Sequence, residues 1–158
     1  MKKITEHNTL DLQNLISIRA TMQQQDMLQV VQEMSKIISE SVTEKNGPFI
    51  SGVYSSYMEN DELLMDVEIL WPVKQKIELA DGYVFKPVFH LVNAVKLEYQ
   101  GNPKDSQLAI QELVEYIKNQ NLTPITPMYN ITTYEPKSKE ELDKFAMELY
   151  IGVSENIL

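Results

Sequence analysis

Over residues 26–45, DMLQVVQEMSKIISESVTEK, the apolar positions Met27, Val30, Val31, Met34, Ile38 and Val42 recur at steps of three and four. That spacing lays one apolar stripe along a helix. Asp26 is placed to cap this helix, and Asn46-Gly47-Pro48 to stop it. A second run of the same period covers about 103–120, PKDSQLAIQELVEYIKNQ, with Ile110, Leu113, Val114 and Ile117 as its stripe. Asn102 can cap it, and Pro103 suits a first turn, where its missing N–H costs nothing.

Around the helices the period falls to two, as in strands with one buried face. Leu15, Ile16 and Ile18 precede the first helix, and PFISGVYSSY at 48–57 and ELLMDVEILWPV at 62–73 follow it. FHLVNAVKLEY at 89–99 precedes the second helix. After it come TPITPMYNITTY at 123–134, a polar loop EPKSKEELDK, and FAMELYIGV at 145–153. The order strand, helix, strand, strand occurs twice.

The repeat extends to single residues. MDVEILWPV at 65–73 and FAMELYIGV at 145–153 superpose at a constant offset of 80. Met65, Val67, Ile69, Trp71 and Val73 fall on Phe145, Met147, Leu149, Ile151 and Val153, and Glu68 falls on Glu148. Alternation sets each glutamate opposite the large apolar side chains. The expected fold is α+β, with duplicated strand-helix-strand-strand halves, antiparallel sheets each backed by a helix, and a groove between the halves. The whole chain, 1–158, reads as one domain with repeats at about 9–73 and 86–154. Segment 74–85, with its Asp81-Gly82 turn signal, links them.

Composition narrows the chemistry. With no cysteine there is no disulfide, thiolate nucleophile or Cys-ligated metal. Lys and Arg number 14 against 23 Asp and Glu, a net charge of −9. No basic run longer than Lys2-Lys3 offsets that charge, which argues against direct nucleic-acid binding. The N-terminus lacks a secretory apolar stretch, and no segment reaches the ~18 apolar residues that span a bilayer. The expectation is a soluble cytoplasmic protein. His7 and His90 lack metal-ligand spacing, so neither metal nor cofactor is expected. The five glycines form no phosphate-binding loop or nucleophile elbow.

Taken together, PFISGVYSSY, MDVEILWPV, AVKLEYQGNPKDSQLAIQELVEYIKNQNLTPITPMYNITTYEP and FAMELYIGV resemble the GyrI-like effector-binding domains. Domains of that family also form the sensor of MerR-type and AraC-type multidrug-responsive regulators. The resemblance covers nearly the whole chain. It implies a small-molecule pocket between the halves, lined by aromatics and holding carboxylates for cationic, lipophilic ligands. By matching position, Tyr129 corresponds to the pocket Tyr, Glu148 to the final-strand Glu, and Asn130 to the acid after the Tyr. At Asn130 the chain departs from the cation binders, presenting a neutral amide instead of a carboxylate. About ten residues precede the first expected strand, as in a standalone form without a DNA-binding domain.

The residues leave two readings of the glutamates open. On a dry inner face, Glu68 and Glu148 need a cation or hydrogen bonds; on a wet outer face, strand alternation alone accounts for them. Tyr54, Tyr129, Tyr150 and Trp71 are the aromatic candidates for a ligand wall. Tyr150 shares the side of Glu148, whereas Trp71 shares the apolar alternation and reads first as core. Tyr54 and Tyr129 are expected at matching places in the halves, with Ser55 paired to Asn130.

The ligand set is therefore Glu148, Tyr129, Asn130, Tyr54, Tyr150, Glu68 and Trp71, with no catalytic residue assigned. Two other classes stay open. One, which the resemblance implies through other standalone members of that family, is an accessory or inhibitor protein acting through a protein partner, for which acidic helix faces would suit a basic surface. The other, which the resemblance implies through standalone hydrolases of that family, is hydrolysis of strained electrophiles, with Glu68 and Glu148 as acid and base.

Overall fold

A computed structural model of the chain describes residues 1–155. The elements run β1 (Lys2–Met22), α1 (Gln24–Ser39), β2 (Ile50–Glu59), β3 (Glu62–Pro72), β4 (Tyr83–Gln100), α2 (Ser106–Asn119), β5 (Leu122–Tyr134) and β6 (Ala146–Glu155). Short 3-10 turns occupy Pro103–Asp105 and Lys139–Lys144. The fold is α+β, and strand-helix-strand-strand occurs twice in chain order.

Two compact units divide the chain, Asp11–His90 and Met1–Leu10 with Leu91 onward. In the first, β3 is antiparallel to both β1 and β2, with Arg19 and Gly52 directly across from Glu68. Side chains alternate along a strand, so one face carries Met65, Val67, Ile69 and Trp71 onto α1. Met34 and Ile38 meet them from the helix. The other face carries Asp66, Glu68 and Leu70. The β2–β3 hairpin closes through Asn60 and Asp61, both in the left-handed region (φ 51° and 64°). Asn and Asp tolerate that conformation, which matches the twist of paired strands.

In the second unit β6 is antiparallel to both β4 and β5. Its helix-facing side chains, Met147, Leu149, Ile151 and Val153, pack with Val95, Leu97 and Tyr99 against Ala109, Leu113 and Ile117 of α2. At about 25 cal/mol per Å² of apolar surface, each fully buried Leu or Ile in these cores contributes on the order of 2 kcal/mol.

Several element boundaries differ from the sequence reading. α1 ends at Ser39 rather than 45, and Val42 is 81% exposed. Ser41 Oγ donates to the Ile38 carbonyl (2.7 Å) and accepts from the Thr43 amide (3.1 Å), drawing backbone groups into a turn. The chain then pairs Lys45 with Val73. Capping also moves: Gln23 holds the cap position, and its amide donates to the Asp26 carboxylate (3.1 Å) at the third helical residue.

On α2 the stripe is Ala109, Leu113 and Ile117, and Val114 is 53% exposed. Weighing only large side chains passes over the small residue that lets helix and sheet approach. β1 begins at Lys2, well before the apolar alternation that marks it in sequence. β4 begins at Tyr83, directly after Gly82, whose φ of 92° suits glycine.

Candidate functional site

Each glutamate of the repeat lies on the strand face turned away from its unit's helix, and each is met by a lysine from β4. In the first unit Glu68 is 3% exposed. Ser17 Oγ donates to its Oε2 (2.7 Å), the Lys86 ammonium binds the same oxygen, and the Tyr54 phenol donates to Oε1 (3.0 Å). Ser17 points this way because β1 pairs Arg19 with Glu68, which puts residues 17 and 19 on the glutamate face.

Tyr54 reaches Glu68 because register shifts between Val53 and Ser55, a bulge that re-aims the residue between them. Arg19 forks onto Asp66 (3.0 and 2.8 Å) and stacks 3.6 Å from the Tyr54 ring centre. Burial alone would push the Glu68 carboxyl up. The hydrogen bonds from Lys86, Ser17 and Tyr54, with the Lys86 charge, outweigh burial and hold it below the ordinary carboxylate value. Glu68 is thus kept ionised and is poorly suited to acid catalysis. The formal charges of Arg19, Asp66, Glu68 and Lys86 cancel.

In the second unit β6 pairs Glu148 with Glu98 and Tyr150 with Lys96 on β4, and with Ile131 and Tyr129 on β5. All six side chains share one face. Tyr129, Tyr150 and Ile131 are 5–7% exposed, whereas the Glu148 side chain keeps 26%. The Tyr150 phenol donates to Glu148 Oε2 (2.8 Å). Burial pushes that phenol up, and the hydrogen bond to Glu148 adds to the effect, taking it to about 12. Lys96 Nζ lies 2.9 Å from Glu98 and 3.5 Å from Glu148. Burial works against the Lys96 charge, but Glu98, Tyr150 and Glu148 outweigh it and raise the ammonium above its ordinary value. Lys96, Glu98 and Glu148 together leave one net negative charge.

The sequence candidates therefore separate. Glu148, Tyr150 and Tyr129 share a face of one unit, and Glu68 and Tyr54 form a cluster in the other. Trp71 is 7% exposed on the helix side of β3, where its indole donates to the Gly47 carbonyl (3.0 Å) and its ring lies 5.2 Å from Phe49. Asn130 pairs with Leu149, so it faces α2 rather than Glu148; its Oδ1 is buried with no hydrogen-bond donor among the described residues.

The expected match of Tyr54 with Tyr129 is corrected by register. Tyr129 pairs with the residue two beyond Glu148, and the residue paired two beyond Glu68 is Ile50. Ser17, Arg19, Asp66, Lys86, Lys96 and Glu98 were missed from the sequence. Lys96 and Glu98 stand in alternation with Val95, Leu97 and Tyr99, a polar face that was legible without its meaning. A separate open cleft of about 620 Å³ is lined by Lys76, Ile77, Glu78, Leu79, Tyr83 and Phe85, none of them in either cluster. No helix among the described residues is long and apolar enough to cross a membrane.

No family model and no curated protein matches the chain. Solved structures match at low identity. EcmrR in complex with DNA superposes with a TM-score of 0.77 at 11% identity, over 99% of this chain and 58% of that one. The chain thus spans little more than half the length of that relative. The C-terminal domain of EcmrR alone gives 0.73 at 12% identity, over 99% and 98% of the two chains. SAV2435 bound to tetraphenylphosphonium gives 0.53 at 16% identity, over 98% and 94%. At these identities the likeness is one of fold.

Proposed function

We propose that this chain, whose fold is GyrI-like, binds a small lipophilic molecule bearing one positive charge, on the face of the second unit that carries Glu148, Tyr150 and Tyr129. The supporting observation is the contrast between the two glutamates. Glu68 is enclosed, with hydrogen bonds on both oxygens and its charge cancelled within its cluster. Glu148 keeps part of its surface exposed and shares one ammonium, Lys96, with Glu98, whose carboxylate also feels the charge of Lys3. A monocation at Glu148 gives each of the two carboxylates a cation of its own.

Tyr150, Tyr129 and Ile131 lie beside Glu148 but are only 5–7% exposed, so their apolar and π surface reaches a ligand only where the face opens around Glu148. The ligand bound to SAV2435 is a permanent, lipophilic monocation, which agrees with this class. Glu68 and Tyr54 then serve the fold of the first unit, and Trp71 and Asn130 lie with the helix-facing cores.

The test uses two ions of the same shape and opposite charge. Tetraphenylphosphonium is expected to raise the unfolding temperature, because a ligand held only by the native state stabilises it by mass action. Tetraphenylborate is expected to do so far less, and Glu148→Gln to lose the phosphonium effect while folding normally. Equal response to both ions, or an unaltered response in Glu148→Gln, overturns the reading.

A further inference from the structure

Lys96 occupies an unusual place for a charged side chain: 18% exposed, 5.5 Å from the Tyr150 ring centre, and shared between two carboxylates. Its ammonium lies nearer Glu98 (2.9 Å) than Glu148 (3.5 Å). Glu98 is the more solvated of the two, 43% against 26% exposed. A protein cation therefore stands within ion-pair distance of the carboxylate that the proposed ligand would use.

We infer that Lys96 sets the charge selectivity of this face, acting as a built-in counter-cation that weakens the hold of Glu148 on a ligand cation. The inference rests on Glu148 being the ligand carboxylate. Two cations cannot share Glu148 at close range without repulsion, and in partly desolvated surroundings that repulsion is little screened. Binding of a monocation shifts Lys96 wholly onto Glu98, which is already its nearer partner. Glu98 thus favours cation binding without touching the ligand. It is a positioning residue for Lys96. Selectivity here is a difference between two occupants of one carboxylate, the tethered ammonium and the free cation.

The signs that follow are specific. Lys96→Met, which keeps the apolar stem and removes the charge, is expected to tighten tetraphenylphosphonium binding by about tenfold. Lys96→Arg, which keeps the charge, is expected to lack the tightening seen in Lys96→Met. Glu98→Gln is expected to weaken binding several-fold, because Lys96 then has Glu148 as its one carboxylate within ion-pair distance among the described residues.

Titration calorimetry of the full chain and these variants, with circular dichroism of each ligand-free protein as a folding check, measures all of them. Tighter binding by Lys96→Met than by the parent supports the inference. If Lys96→Met and Glu98→Gln bind like the parent while Glu148→Gln does not bind, the role of Lys96 is overturned and that of Glu148 stands. If neither the parent nor Lys96→Met binds, or if Glu148→Gln binds as well as the parent, both fail.

Discussion

Ser17 and Lys96 occupy equivalent places in the two halves, each two residues before the strand partner of a glutamate, Arg19 for Glu68 and Glu98 for Glu148. Ser17 donates a hydroxyl to Glu68 at 2.7 Å, and Lys96 brings an ammonium to 3.5 Å from Glu148. The same backbone register thus serves an enclosed carboxylate in one half and a charge-bearing face in the other.

Lys86 is expected to matter for stability. Lys86→Met leaves a nearly buried carboxylate without its cation, at a cost of about 1.5–3 kcal/mol, the range for hydrogen bonds to charged groups; partial exposure of Lys86 keeps the figure below that of a dry pair. Ser17→Ala is expected to cost about 1 kcal/mol. Urea unfolding near neutral pH measures both, and an unchanged midpoint in Lys86→Met refutes the assignment.

Acid should act through the same carboxyl. Glu68 lies below the ordinary value of 4.5 in the folded chain, so the folded state binds its proton more weakly than the unfolded state does. Its contribution is complete above the unfolded value and is lost as pH falls through the folded one. Unfolding curves of the parent and Glu68→Gln should therefore differ most above pH 4.5 and converge as the pH falls well below it. A gap that stays constant counts against the pairing.

Alkali should act through Tyr150, whose phenol lies at about 12, above its ordinary 10. The unfolded chain then ionises first, so stability present below pH 10 declines between the two values. Tyr150→Phe removes that decline and is expected to show a flatter stability curve from pH 9 to 11 in equilibrium unfolding. A parallel curve would mean that the phenol is not held as described.

Asn130 yields the opposite sign. Its Oδ1 is buried with no donor among the described residues, on the face that meets α2. Asn130→Val removes a polar group whose desolvation is not repaid and adds a strand-favouring side chain, with an expected gain of up to about 1–2 kcal/mol. Tetraphenylphosphonium affinity should not change, since the side chain points away from Glu148. Weakened binding in this variant would return Asn130 to the ligand site.

What the sequence determined by itself was the content and order of the elements. The apolar periods of 3.6 and 2 are consequences of local geometry, and the matched segments around Glu68 and Glu148 carried the duplication residue by residue. Local patterning also set the glutamates opposite the apolar side chains. It did not set where α1 stops, because hydrogen bonds through Ser41 competed with an apolar stripe that continued to Val42.

Tertiary structure alone decided which polar groups meet. A register shift beside Tyr54 turned its phenol onto Glu68, and strand pairing put Asn130 with Leu149 rather than with a charge. Lys86 and Lys96 lie 18 and 52 residues from the glutamates they approach. No local period carries that information, because a salt bridge across strands depends on pairing partners that only the folded sheet brings together.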